Sequence, residues 1–118
     1  MSYVNDPRRI YVKTCRRDVT TAGTPERLFP GNPAYYECLS ITIRADADNV
    51  GNIYLGGTNR VSDTDYSFII APGETKDLIG GQDENRQDRY INAARMWIDC
   101  DNDGESLSFL ALMDREPW

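Results

Sequence analysis

The sequence predicts an all-β fold: a single-domain β-sandwich, jelly-roll-like, of roughly eight or nine short strands. Three observations carry that expectation. Apolar and polar residues alternate with a period of two, most cleanly where Leu39, Ile41, Ile43 and Ala45 interleave with Ser40, Thr42 and Arg44. Clusters of Gly, Pro, Asn and Asp interrupt such runs about every 8–12 residues, which is the punctuation of a sandwich or small barrel. Two acidic turns of one make, Asp46-Ala47-Asp48-Asn49-Val50-Gly51 and Asp99-Cys100-Asp101-Asn102-Asp103-Gly104, are each entered by an alternating run and left by another. Their Asn and Gly supply the positive φ that a tight corner needs. Neither the strand spacing nor any signature residue pair points to an immunoglobulin domain, so the jelly roll is the preferred topology.

The elements follow in order. Residues 1–9, with Pro7, read as an irregular N-terminal arm. Ile10-Tyr11-Val12-Lys13-Thr14-Cys15 opens the domain as a first strand, with pairing extended through residues 17–21. Ala22-Gly23-Thr24-Pro25 is a turn, and Glu26-Arg27-Leu28-Phe29 is a short strand broken by Pro30-Gly31-Asn32-Pro33. Residues 38–45 form the clearest strand, followed after the first acidic turn by Asn52-Ile53-Tyr54-Leu55 up to Gly56-Gly57. Tyr66-Ser67-Phe68-Ile69-Ile70 is another, closed by Ala71-Pro72-Gly73-Glu74. Pro followed by Gly at the centre of that turn is the type II pattern. Pairing resumes over 75–79. Residues 82–89 are polar, charged and aperiodic, hence a surface loop, with one helical turn at most around 91–94. Residues 95–100 return to strand, with Met96, Ile98 and Cys100 on one face and Trp97 on the other. The last strand, 106–113, sets Leu107, Phe109, Ala111 and Met113 against Ser106 and Ser108, while Leu110 and Leu112 make its far end apolar on both faces. Such a strand is central, or covered by a partner. The domain so defined spans 10–113, and 114–118 is a C-terminal tail.

At 118 residues the chain has room for one core. A formal net charge of −6 excludes the basic face that nucleic acid demands. Only Lys13 and Lys76 are lysines among thirteen basic residues, an Arg bias that leans towards a protein-binding surface. Absent histidine removes His-based triads, the common zinc sites and the ordinary neutral-pH base. Cys15, Cys38 and Cys100 are an odd, scattered set without metal-ligand spacing, which fits small buried residues and a reducing cytoplasm. No apolar leader-type segment or membrane-length stretch is seen, so neither classical export nor a membrane partner is expected.

Three constellations invite chemistry. Asp99, Asp101 and Asp103 with Gly104 match the opening of an EF-hand loop, but the twelfth position is Leu110 rather than a bidentate Glu, and flanking helices are missing. Capping of the turns' own backbone by Asp and Asn explains them better, although a calcium site shared between corners is a competing reading. A glycosidase-like carboxylate pair needs one acid buried in a cleft, whereas these acids lie in turns where they stay solvated, so no enzyme and no cofactor is expected. Trp97, Tyr35 and Tyr36 are candidate aromatics for stacking on sugar or anchoring a protein, and Trp118 is a large apolar residue that needs cover.

Thr20-Thr21-Ala22-Gly23-Thr24-Pro25, Ser40-Ile41-Thr42-Ile43-Arg44-Ala45, Asn52-Ile53-Tyr54-Leu55-Gly56, Ala71-Pro72-Gly73-Glu74 and Trp97-Ile98-Asp99-Cys100-Asp101 succeed one another in that order. Together, over about residues 13–113, they resemble small virion structural proteins of tailed bacteriophages. The resemblance implies a capsid decoration (cement) protein on the virion surface, made in the host cytoplasm. It also implies a β-sandwich that dimerises or trimerises and binds the major capsid protein. It carries no active site. The arm and tail would then reach over neighbouring subunits, with Tyr3, Arg8, Arg9, Tyr11, Trp97 and Trp118 as the expected interface residues. The alternative is a head-fibre or tail-tip receptor-binding domain that recognises carbohydrate, a role the same fold class also hosts.

Overall fold

The computed structural model describes residues 10–29, 37–80 and 90–114, and the expected all-β architecture is what it shows. The described strands are β1 (Tyr11–Asp18), β2 (Glu26–Arg27), β3 (Glu37–Cys38), β4 (Ser40–Ala45), β5 (Ile53–Gly56), β6 (Phe68–Ile70), β7 (Thr75–Ile79), β8 (Ile91–Asn92), β9 (Trp97–Cys100) and β10 (Ser106–Met113). A 3-10 turn, Ala93–Arg95, is capped by the Asn92 side chain accepting from the Ala94 N–H. Ten described strands exceed the eight or nine expected, because Ile91–Asn92 pairs as a strand where one helical turn at most was expected and because one expected strand breaks in two. The run 38–45 divides at Leu39, so Cys38 pairs with Ile91 while Ser40 onwards joins a larger sheet. Leu39 stays satisfied at the break: its N–H donates to Leu112 O at 2.7 Å, and its carbonyl accepts from Gly80 N–H at 2.8 Å.

Strand pairing is nested. β1 pairs β10, β2 pairs β9, β3 pairs β8, β4 pairs β7 and β5 pairs β6, all antiparallel. The chain is therefore one long ribbon of paired strands, doubled back at β5–β6 and rolled up. Rolling deals the strands into two four-stranded sheets, ordered β1-β10-β4-β7 and β2-β9-β5-β6, with β3-β8 as a small third. Further antiparallel ladders, β10 with β4 and β5 with β9, complete each sheet. Gly73 shows how sequence-local chemistry makes the corners. Its φ of 79° and the 2.9 Å bond from Glu74 N–H to Ala71 O belong to the type II turn that Pro72-Gly73 predicts.

One hydrophobic cluster joins the two sheets. Ile41, Ile43 and Ala45 of β4 and Leu107, Phe109, Ala111 and Met113 of β10 supply one side. Ile53 and Leu55 of β5, Ile70 of β6, and Ile98 and Cys100 of β9 supply the other. Phe29, just past β2, closes against Phe109 with ring centroids 4.6 Å apart.

The outer faces differ. On the second sheet Tyr54 is buried under Tyr66, and Val61 is buried beside Gly56, so the segment between β5 and β6 covers part of that face and leaves Ile69 exposed. The outer face of the first sheet carries Val12, Leu110 and Ile79, exposed at 52%, 40% and 77%.

The core placement has a direct test in denaturant titration. Ile43, fully buried, should lose about 2–5 kcal/mol on truncation to Ala, whereas Ile79→Ala should stay within about 0.5 kcal/mol of the parent. Equal midpoints for the two variants would contradict the register.

Candidate functional site

Two regions gather polar side chains: the corner formed by three turns, and the outer face of the first sheet. The corner assembles because nested pairing sets turns from distant parts of the chain side by side. Their inward-pointing N–H groups then need acceptors. Asp99, only 2% exposed, accepts through one carboxylate oxygen from Gly23 N–H at 2.9 Å and Cys100 N–H at 2.8 Å. Asp103 accepts from Ala22 N–H at 2.8 Å. Asp101 accepts from Asn52 N–H at 2.8 Å and from the Tyr54 hydroxyl at 2.7 Å. Glu105, 5% exposed, takes the N–H groups of both Val50 and Gly51 on its Oε1, at 2.7 and 2.5 Å.

The two acidic turns thus lock onto each other. A Cβ on Gly51 would lie 2.6 Å from that of Asp101, so only glycine lets them approach this closely. Asn49 completes the lock by exchanging two side-chain bonds with the Ser106 backbone, at 2.8 and 2.9 Å.

This corrects the sequence expectation in two respects. Asp46 caps its own turn, accepting from Asp48 N–H at 3.1 Å, but the carboxylates of the second turn chiefly serve other turns, Asp99 alone also accepting within its own, from Cys100 N–H. Asp99 and Glu105 are buried rather than solvated. Sequence separations of 49 to 81 residues in these bonds leave no local trace that could have announced them.

Electrostatics follow from the same contacts. The Asp48 N–H, then the Arg16 guanidinium at 2.9 Å, hold the Asp46 carboxyl below its usual range. The bond to Asp101 and burial push the Tyr54 phenol up to about 12. Burial raises Cys38 and Cys100 to about 11, with the Asp99 and Glu105 charges adding to the effect on Cys100. Both are protonated at neutral pH and poor nucleophiles. Among the described residues, no group of three or more Cys, Asp and Glu side chains could hold a metal ion. Carboxylates committed to backbone N–H groups do structural work, and this corner braces the domain.

The second region is built by register. Three rows cross the first sheet on its outer side: Val12, Leu112, Ser40, Ile79; then Thr14, Leu110, Thr42, Asp77; then Arg16, Ser108, Arg44, Thr75. The face therefore grades from apolar through hydroxyl-bearing to basic. A shallow groove of about 540 Å³ lies over the lower two rows, lined by Thr14, Arg16, Thr42, Arg44, Ser108 and Leu110 among others.

Of the expected interface residues, Tyr11 sits at the start of β1, half-buried and packed towards the core rather than on this face. Trp97 is half-buried on β9, with the Arg27 guanidinium 5.3 Å from its ring centre. Tyr3, Arg8, Arg9 and Trp118 lie outside the described residues, as do Tyr35, Tyr36 and the 82–89 loop. Sequence reasoning passed over Val12, Ile79, Arg16 and Arg44. The usable signal was Val12 standing, like Leu110 and Leu112, at an outward position of an alternating run.

Compared with known proteins, the chain matches no family model and no curated protein.

The brace predicts measurable losses. Glu105→Ala strands two amide donors and should cost roughly 2–4 kcal/mol in urea unfolding, with Glu105→Gln, which keeps the acceptor, closer to the parent. Asp46 adds a pH dependence. Because its folded pKa is depressed, its contribution is present above the unfolded value of about 3.9 and fades as pH falls through the lower folded value. Melting curves of Asp46→Asn should therefore match the parent at the lowest pH and fall short of it above about pH 4. A constant gap across the acid range would contradict the linkage.

Proposed function

We propose that the chain is a non-enzymatic virion structural protein, a capsid decoration or cement protein that binds the major capsid protein on the outer shell and works as an oligomer. The observation that carries the reading is the outer face of the first sheet with its exposed apolar side chains. Four strands wide, it exposes Val12, Leu110 and Ile79 in rows beside hydroxyl and guanidinium groups, whereas the chain's own Tyr66 and Val61 cover part of the other sheet's outer face and leave Ile69 exposed there. Exposed apolar groups in such a patch, rimmed by polar ones, characterise a surface made to be covered.

Three features support the reading further. We take the nested ribbon to be a jelly roll, a topology shared by viral capsid and lectin domains. The cross-braced corner suits a protein required to be rigid. The ordered turn and strand motifs resemble those of tailed-phage virion proteins. A sugar-binding fibre role fits the described aromatics less well, since the Trp97 ring is attended by Arg27 and Tyr54 is buried against Tyr66.

Copy number is the decisive measurement. In virions of the phage that encodes the chain, quantitative gels should give a fixed ratio to the major capsid protein. A count matching tail or vertex appendages would favour the fibre reading, and absence from particles would overturn both.

A further inference from the structure

We infer that the groove on the outer face of the first sheet is a docking site for an acidic, extended segment of a partner protein, with a partner carboxylate received by Arg44. The inference rests on the decoration reading for the partner's identity and on charge for its chemistry.

Among the described residues three exposed guanidinium groups, those of Arg44, Arg60 and Arg95, have no carboxylate partner, and of these only Arg44 lines the groove. The chain carries 19 acidic and 13 basic residues, so most guanidinium groups should find a carboxylate at home. Arg16 does, pairing with Asp46 at 2.9 Å and lying 3.8 Å from Asp18. Arg17 does too, bonding Glu26 at 3.1 Å and the carbonyls of Arg27 and Leu28 at 2.7 and 3.0 Å. The Arg44 guanidinium makes no ion pair or hydrogen bond among the described residues. Asp46, two residues on, is already held by Arg16 and feels Arg44 only through longer-range attraction.

Position adds the rest. Arg44 and Arg16 flank Ser108 in one row, two strand spacings or about 10 Å apart, with the groove between them. Thr14 and Thr42 in the next row offer hydroxyl donors, though the Thr42 hydroxyl already donates to Asp77 at 2.7 Å. A carboxylate set down here meets a planar guanidinium that can grip both oxygens. Leu110 lies about 7 Å along the strands from the basic row, and Val12 and Ile79 about 14 Å. The fitting partner segment therefore carries Asp or Glu at one end and apolar side chains one to two strand repeats away. A net charge of −6 makes general attraction to such a segment impossible, so any binding has to be local.

The test uses fluorescein-free hexaglutamate titrated into the isotope-labelled full chain, with backbone amide shifts as readout. Shifts should cluster at Thr14, Thr42, Arg44, Ser108 and Leu110, and Arg44→Gln should weaken the apparent affinity about tenfold or more. Arg60→Gln, the same charge change on the exposed 57–67 segment, should leave it unchanged. Scattered or absent shifts in the parent, or equal losses from both variants, would overturn the inference. Melting temperatures of both variants establish that they are folded. A rebinding arm separates the two readings. If the parent chain rebinds particles stripped of it and Arg44→Gln rebinds equally well, the groove assignment alone fails. If the parent does not rebind, the decoration reading fails whatever hexaglutamate does.

Discussion

β10 has one workable register, and the molecule is organised around it. Over eight residues it pairs with β1 on one side, and over six of them with β4 on the other. Leu107, Phe109, Ala111 and Met113 then face the core, while Ser108 and Leu110 face out. A slip of one residue would exchange those sets, burying serine and exposing four large or core-shaped side chains. The same register decides which residues of β1 and β4 share a row with β10. The interior and the outward-facing rows are thus two consequences of one alignment.

A rolled ribbon leaves its corners as the weak point, because each turn presents backbone donors that no strand can pair. Acids placed in the turns solve this when neighbouring turns are close enough to serve one another. Glu105 and Asp99 show the logic at its most demanding. Burying a carboxylate is costly, and here two N–H groups converging on one oxygen offset part of the lost water, while Glu105 Oε2 is buried without a hydrogen-bond partner. Gly51 belongs to the same solution, since any larger residue would hold the acceptor turn away from the donors.

Legibility in the sequence followed locality. The bounds of β7 and β10 coincide with the runs 75–79 and 106–113, because turn residues bracket the first and alternation marks the second. The type II corner at Gly73 was legible from the Pro-Gly pair alone, and the turn at Gly23 from its neighbours. The break at Leu39 was not, since the alternation runs through it undisturbed and only the competition between two sheets interrupts the strand. Partner choice was equally hidden: nothing in β1 says that it meets β10. Val12 and Ile79 are unremarkable until β1 and β7 prove to edge the same sheet, so the candidate site became visible only with the topology. The buried acids were misjudged for the same reason, their partners being far away in the chain.

The position of β10 has a consequence for how the domain comes into being. It follows the other nine described strands in the chain, yet it fills the gap between β1 and β4. Until residues 106–113 leave the ribosome, those two strands stand apart with unpaired backbone facing an empty slot of one strand's width. Any extended segment can enter that slot, and the β10 of a neighbouring nascent chain fits it as well as the chain's own. Strand exchange between two growing copies is therefore the built-in hazard of this winding order. A chain cut before Ser106 would leave β1 without a partner strand and β4–β7 as a two-stranded ladder rather than a smaller version of the domain.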